Sequence, residues 1–458
     1  MKPTRRNLLK QAAAVAGTLS ITTPSVSAAQ GSSDDLLVNY PSMVEADGRL
    51  RLDFGPECVV LDGGLQPSML CTRAGTLIVQ AQMPEKSLPG GRMHYPFVLD
   101  TTVSRDSGKS WTRASSNDAL NLEGGVTQLR DGTVLAFDTY ITPGAKPDEG
   151  AGQLYTSRDD WHTPQGPQEV PFSLPNIDFY ASSDDGGRPH EAERLHRRIL
   201  ELPNGDLLTT LYGTMKGDRT PSTYKVTMMK SRVMLARSTD RGRHWKLAST
   251  VAVNPAVGTE GFVEPVIARI SRGARAGRLI CFMRTGRELY ETTSDDGGTS
   301  WRAARPRTFA GLDVNRTELW VDMFRNVRGR TGRLLNEDNP DELKGSVVDP
   351  DLIELRNGLL AATFGLRIPQ QLCWPNYQHP WNGNYLAFSD DQGASWNNVV
   401  RLTSGVPTTH YAAIEELPAD GDLFVTYDIG FWGRPKRYIC GRRVKVTRKS
   451  APGERQRG

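Results

Sequence analysis

Five cysteines in 458 residues, odd in number and scattered at Cys58, Cys71, Cys281, Cys373 and Cys440, do not make a disulfide framework. They read as small buried apolar residues. No run approaches the roughly 18 apolar residues that a membrane span needs. The seven histidines lack ligand spacing: His190 and His196 bound HEAERLH six apart, not four apart as in a helical zinc site. No catalytic metal and no cofactor are expected. A basic surface is missing too. The formal charge is +4, but four bases and no acid lie in residues 1–28, and seven bases with one acid lie beyond residue 441. Residues 29–441 hold 45 bases and 51 acids, which argues against nucleic acid as a partner. What remains is an ordinary globular composition, 38% hydrophobic and 24% charged, with 45 glycines and 29 prolines for many turns.

The amino-terminal stretch MKPTRRNLLK precedes a weakly apolar segment and the small residues Val26-Ser27-Ala28. This is the layout of a cleavable export signal. The pair Arg5-Arg6 resembles the bacterial twin-arginine signal, which implies the twin-arginine export machinery as a partner and a periplasmic or secreted destination. The expected domains are a signal over 1–28, a linker over 29–48, a body over 49–448 and a basic tail over 449–458.

Within the body one pattern recurs six times: an apolar alternating run, a turn containing glycine, and a second apolar run. The copies occupy 66–82, 124–140, 197–213, 264–286, 350–367 and 411–430, with turn glycines at Gly75, Gly132, Gly205, Gly277, Gly358 and Gly421. Asp131-Gly132 and Asn204-Gly205 between apolar runs are strong hairpin signals. A second motif, S-x-D-x-G-x-x-W, lies in phase with the first. It occurs at Ser104/Asp106/Gly108/Trp111, Ser238/Asp240/Gly242/Trp245, Ser294/Asp296/Gly298/Trp301 and Ser389/Asp391/Gly393/Trp396, with a short form at Ser157/Asp159/Trp161. Its Ser and Asp suit capping of turn amides, its Gly a positive φ, and its Trp packing into the layer below.

These turns resemble the Asp-boxes of the sialidase superfamily. The resemblance implies an all-β fold, a six-bladed β-propeller of about 70 residues per blade. The sixth hairpin lacks such a turn, so its blade is expected to close with a strand from Leu50–Leu61 beside residues 437–448.

In a propeller, residues that begin each inner strand and end its partner meet at the axis. The starts here are Gln66, Glu123, the segment His190–His196, Glu264, Asp349 and His410-Tyr411. The ends include Tyr140, Tyr212, Arg284, Arg367 and Asp428. Ionisable groups gathered in one place mark a candidate site. The sialidase resemblance gives several of them roles. Tyr411 corresponds to the tyrosine nucleophile and Glu264 to its base, while Arg284 and Arg367 correspond to arginines that clamp a sugar carboxylate. Asp349 and His94 are further candidates for catalysis, and His190, His410 and Gln66 for substrate binding. Leu65-Gln66-Pro67 stands where the family carries its first arginine, and no residue of 83–100 matches the family's acid. Trp374, Tyr377 and Trp381 lie in an aromatic loop that either packs inward or stacks on a sugar.

The leading expectation is an exported glycoside hydrolase, similar to exo-α-sialidases, acting on a terminal acidic sugar of a glycan or glycoconjugate. Two alternatives stand beside it: a polysaccharide lyase for uronate-containing glycans, and a glycan-binding propeller without catalysis.

Overall fold

The computed structural model describes residues 39–92, 95–114, 122–179, 191–224, 227–329, 332–335, 340–432, 434 and 436–449. The export signal, His94, His190 and residues 450–458 lie outside the described residues.

The fold is all-β apart from a few short helical turns. Each of the six alternating stretches forms an antiparallel hairpin: Leu65–Cys71 with Leu77–Arg92, Val126–Gln128 with Val134–Pro143, and Glu193–Glu201 with Leu207–Gly213. Then follow Val263–Arg269 with Leu279–Arg284, Ser346–Glu354 with Leu360–Arg367, and Ala412–Glu416 with Leu423–Ile429. All six turn glycines adopt positive φ, from 76° at Gly421 to 95° at Gly277, a region that costs other residues steric strain.

Outer strands extend each hairpin into a unit. In the sixth, Tyr438–Arg448 pairs with Leu423–Ile429 on one side and with Leu50–Phe54 and Cys58–Asp62 on the other. The sixth unit is therefore closed by strands from the amino-terminal side of the body, as the sequence suggests. One strand was not foreseen: Ser42–Ala46, inside the stretch read as linker, pairs with Asn398–Arg401 of the fifth unit.

The strands assort into five sheets rather than six, because the second and third units share a closed eight-stranded array. The contacts between these two units are short. Phe172 and Ser173 pair with Trp245 and Lys246 at one edge, while Val126, Tyr140 and Ile141 meet the third unit's first strand at the other. The main ladders inside these two units, Val134–Pro143 with Glu149–Ser157 and Leu207–Gly213 with Arg232–Ser238, are longer.

Six apolar clusters lie between successive units. Ile78 and Val134 share one, Phe137 and Leu211 another, Leu208 and Ile267 a third, Phe282 and Phe364 a fourth, and Leu386 and Val425 a fifth. Phe424 with Val79 links the sixth unit back to the first. The S-x-D-x-G-x-x-W turns serve these seams. In each, the Ser hydroxyl donates to the Asp and accepts from the Gly amide, and the Asp accepts a backbone amide beyond it, as in Ser238, Asp240, Gly242 and His244 at 2.8, 2.8 and 2.9 Å. The tryptophans then pack against the preceding unit: Trp245 stacks on Phe172 at 5.8 Å, Trp396 lies 5.5 Å from Phe282, and Trp111 lies 5.6 Å from Phe424.

Between the fourth and fifth units, Thr317–Leu319, Val321–Phe324 and Pro340–Leu343 form short helical turns. Trp320, Phe324 and Leu343 pack there against Ile368 and Trp381 and support the aromatic loop. No helix among the described residues is long and apolar enough to cross a membrane.

Candidate functional site

The first strands of the hairpins share a local distortion at the same place. Gln66, Arg197, Glu264, Asp349 and His410 have φ of 55°, 67°, 43°, 48° and 70°, and the second unit has Gly125 at 134°. Four of these residues coincide with breaks in pairing register. A bulge re-aims the side chains around it, and here the re-aimed groups meet one another.

Tyr411 and Glu264 form the centre. The Tyr411 hydroxyl donates to Glu264 Oε1 at 2.7 Å, and Arg284 Nη1 donates to the same oxygen at 2.6 Å while lying 3.5 Å from the phenol oxygen. Glu264 Oε2 accepts the Asp349 backbone amide at 3.0 Å. Burial alone would raise the Glu264 carboxyl, but Arg284 above all, with the hydrogen bond from the phenol, holds it down at about 2. Burial and the Glu264 anion push the Tyr411 phenol well above its ordinary 10. The pair at rest is therefore a neutral phenol donating to a carboxylate.

Arg284 is heavily committed, because its Nη2 also donates to Glu260 Oε1 at 3.0 Å. Arg367 is freer. It donates from Nη2 to the Thr409 carbonyl at 2.8 Å, lies 5.2 Å over Trp374 and 5.6 Å over Tyr411, and its Nε has no hydrogen-bond partner among the described residues. Trp374 in turn meets Trp432 at 6.0 Å. The aromatic loop thus divides: Trp374 faces the site, whereas Trp381 packs beside Trp320 at 5.7 Å.

Asp349 is brought to this centre but lies fully buried. Its Oδ2 is held by Arg197 and by the Ala412 amide. Burial, with Glu264 and Glu123 close by, pushes its carboxyl well above the usual range despite Arg197. His196 approaches from the third unit, with Nδ1 2.9 Å from the Pro265 carbonyl and Nε2 3.5 Å from Glu123 Oε1 and 3.8 Å from Asp349 Oδ1.

Gln66 and His410 do not join the group around Tyr411. The Gln66 amide donates to Asp428 at 2.9 Å and its side chain bonds Gln82. Asp428 also binds Thr408 and Thr409, so it latches the sixth unit to the first. His410 is enclosed, both ring nitrogens lack partners, and burial followed by Arg367 keeps it neutral. Its backbone presses on Gly365, where any Cβ would come within 2.0 Å of the His410 carbonyl oxygen.

Sequence reasoning did not find Glu260 or the deeper network in which Arg198 joins Asp351 at 2.7 Å and also Glu415. Both arginines at 197 and 198 follow His196 directly, so the signal was a charged run where a strand interior would hold apolar residues.

No family profile and no curated protein matches this chain. Solved structures do. A protein of unknown function from Dyadobacter fermentans superposes with a TM-score of 0.56 at 18% identity, over 87% of this chain and 100% of that one. A Hadza microbial sialidase superposes with a TM-score of 0.50 at 14% identity, over 84% of this chain and 66% of that one. The likeness is one of fold.

Proposed function

We propose that this chain is an exported glycoside hydrolase of the sialidase superfamily, a six-bladed β-propeller that removes a terminal acidic sugar. The six inter-unit clusters and the shared turn geometry support six blades, the S-x-D-x-G-x-x-W turns being Asp-boxes. Residues 1–28 would be the twin-arginine signal, and the mature enzyme would work in the periplasm or outside the cell.

The observation that carries the reading is the single Glu264 oxygen shared by the Tyr411 hydroxyl and Arg284. A neutral phenol can approach an anomeric carbon beside a sugar carboxylate, where an anionic nucleophile would be repelled. Its high pKa means the proton must leave as the bond to carbon forms, and Glu264 is positioned to take it. Held at about 2, Glu264 is a weak base in the empty site. A substrate carboxylate that draws Arg284 toward itself loosens that hold and makes Glu264 more basic when the proton must move. Arg367, with donors to spare, is the principal carboxylate ligand, and Trp374 offers a face to the sugar ring. Water then hydrolyses the glycosyl-tyrosine. Proton donation to the leaving group falls to His94 or His190, since Asp349 is enclosed.

Release of fluorophore from umbelliferyl sialosides tests the proposal. Tyr411→Phe is expected to lower kcat at least about a hundredfold, because the nucleophilic oxygen itself is removed. Arg367→Lys is expected to raise KM about tenfold by removing planar recognition of the carboxylate. No release across a panel of linkages, or undiminished turnover by Tyr411→Phe, overturns it.

A further inference from the structure

Beneath the tyrosine, the second, third and fifth units each send one side chain to a common point. The groups are Glu123, His196 and Asp349, whose ligand atoms lie within 4.8 Å of one another and which are all buried. We propose that these three residues bind a divalent transition-metal cation, of which zinc is the reference case.

The histidine tautomer follows from the contact of its Nδ1. Nδ1 lies 2.9 Å from the Pro265 carbonyl oxygen, an acceptor, so Nδ1 carries the ring proton and donates it there. Nε2 then presents a lone pair to Glu123 Oε1 at 3.5 Å and to Asp349 Oδ1 at 3.8 Å. Among the described residues neither Nε2 nor Asp349 Oδ1 has a hydrogen-bond partner, and both residues are completely buried. Arg194 Nη2 lies 3.9 Å from Glu123 Oε1, and lone pairs converging at the remaining gap repel unless a proton or a cation lies among them.

The distances discriminate between a proton and a larger cation. A direct N–H···O bond requires about 2.7–3.2 Å, shorter than either spacing. A cation about 2.0–2.2 Å from an imidazole nitrogen and carboxylate oxygens in tetrahedral geometry holds those atoms about 3.3–3.6 Å apart. The 3.5 Å spacing falls there and the 3.8 Å spacing lies just above it. The surroundings have the form that supports a metal ligand set: a backbone carbonyl fixes the imidazole, and Arg197 with the Ala412 amide fixes the other oxygen of Asp349. One imidazole with two carboxylates suits zinc or manganese better than calcium or magnesium, which favour all-oxygen shells. The cation would pin three units at the axis and, through the Asp349 amide, the position of Glu264.

The test uses the full mature chain, expressed with added zinc and assayed for bound metal by mass spectrometry, beside Glu123→Gln and His196→Leu. The expected result is about one divalent ion per wild-type chain and at least a tenfold loss in both variants. Chelation is expected to lower the wild-type melting temperature by roughly 5 °C, zinc to restore it, and the folded variants to ignore zinc. Should His196→Leu fail to fold, the near-isosteric Glu123→Gln still decides the matter. A metal-free wild type whose melting ignores zinc and chelator overturns the proposal, as does equal metal in the variants. None of these readouts depends on sialoside hydrolysis.

Discussion

Replacing Glu264 by glutamine perturbs the centre with almost no change in volume. The carboxylate receives three hydrogen bonds, from Arg284 at 2.6 Å, Tyr411 at 2.7 Å and the Asp349 amide at 3.0 Å. Glutamine keeps one oxygen, which can still serve Arg284 and Tyr411. Its new amide nitrogen then faces the Asp349 N–H, donor against donor, and that hydrogen bond, worth about 1 kcal/mol, is lost. Arg284 also loses the charge opposite it. Removing one partner of a buried pair costs about 3–5 kcal/mol, but Glu260 remains 3.0 Å away to neutralise the guanidinium. The expected total is therefore near the low end, about 3 kcal/mol.

Urea unfolding at neutral pH measures it, with Glu260→Gln and the double variant completing a cycle. Because the double variant strands a buried Arg284, it is expected to cost about 1–2 kcal/mol more than the two single losses combined. Acid unfolding supplies an independent check. Glu264 is held at about 2 against an ordinary 4.5, so its stabilisation is present above pH 4.5 and disappears as pH falls toward 2. Glu264→Gln should lack that contribution to the acid limb. Strict additivity in the cycle, or a Glu264→Gln protein as stable as the parent, would refute the idea that this shared oxygen organises the site.

The deeper Arg198–Asp351–Glu415 cluster has the opposite pH signature. Burial foremost, then the Asp351 charge, raise Glu415 to about 7 despite Arg198, so the folded chain holds a proton that the unfolded chain releases above 4.5. Stability should fall as pH rises from 4.5 to 7, by at most about 3 kcal/mol, and urea midpoints of Glu415→Gln across that window should be correspondingly flat. The seam tryptophans should differ in importance according to burial. Trp245, 1% exposed, stacked on Phe172 and met edge-on by Phe137, is expected to cost about 3–5 kcal/mol on replacement by alanine, and the half-buried Trp111 about half as much in the same urea assay.

The parts of this fold that were legible in sequence are those encoded locally. An apolar run such as Leu77-Ile78-Val79 or Leu207-Leu208-Thr209, preceded by the turn glycine Gly75 or Gly205, specifies a hairpin without reference to the rest of the chain. The Ser/Asp/Gly/Trp turns are equally self-contained. Ser42–Ala46 was not legible because SMVEA is short and half exposed, and its strand exists only by pairing with residues some 350 positions away. The shared array of the second and third units rests on a handful of edge pairs that leave no periodic trace. At the site, Tyr411, Glu264 and Arg284 could be aligned with one another once the repeat was seen. Glu123, His196 and Asp349 were each noted as strand starts, but nothing in their spacing indicates that three particular starts out of six converge. That depends on the direction in which each bulge turns its side chain.

The bulges themselves argue that the axis is built for its side chains. A residue other than glycine in the left-handed region costs about 1–2 kcal/mol. Gly125 shows that a glycine can occupy this place in the second unit. The other five units instead hold Gln66, Arg197, Glu264, Asp349 and His410, bearing the strain together with the cost of burying polar groups. Glu264 fixes Tyr411 and Arg284, Asp349 offers its amide to Glu264 and its carboxylate to Arg197, and Arg197 reaches on to the Ala412 carbonyl at 3.0 Å. A glycine at any of these three would relax the backbone and break the chain of contacts that holds the phenol against its carboxylate. The strain and the polar cluster are thus one feature: the left-handed turn aims each charged group at the next, and the contacts so formed hold the turn in place.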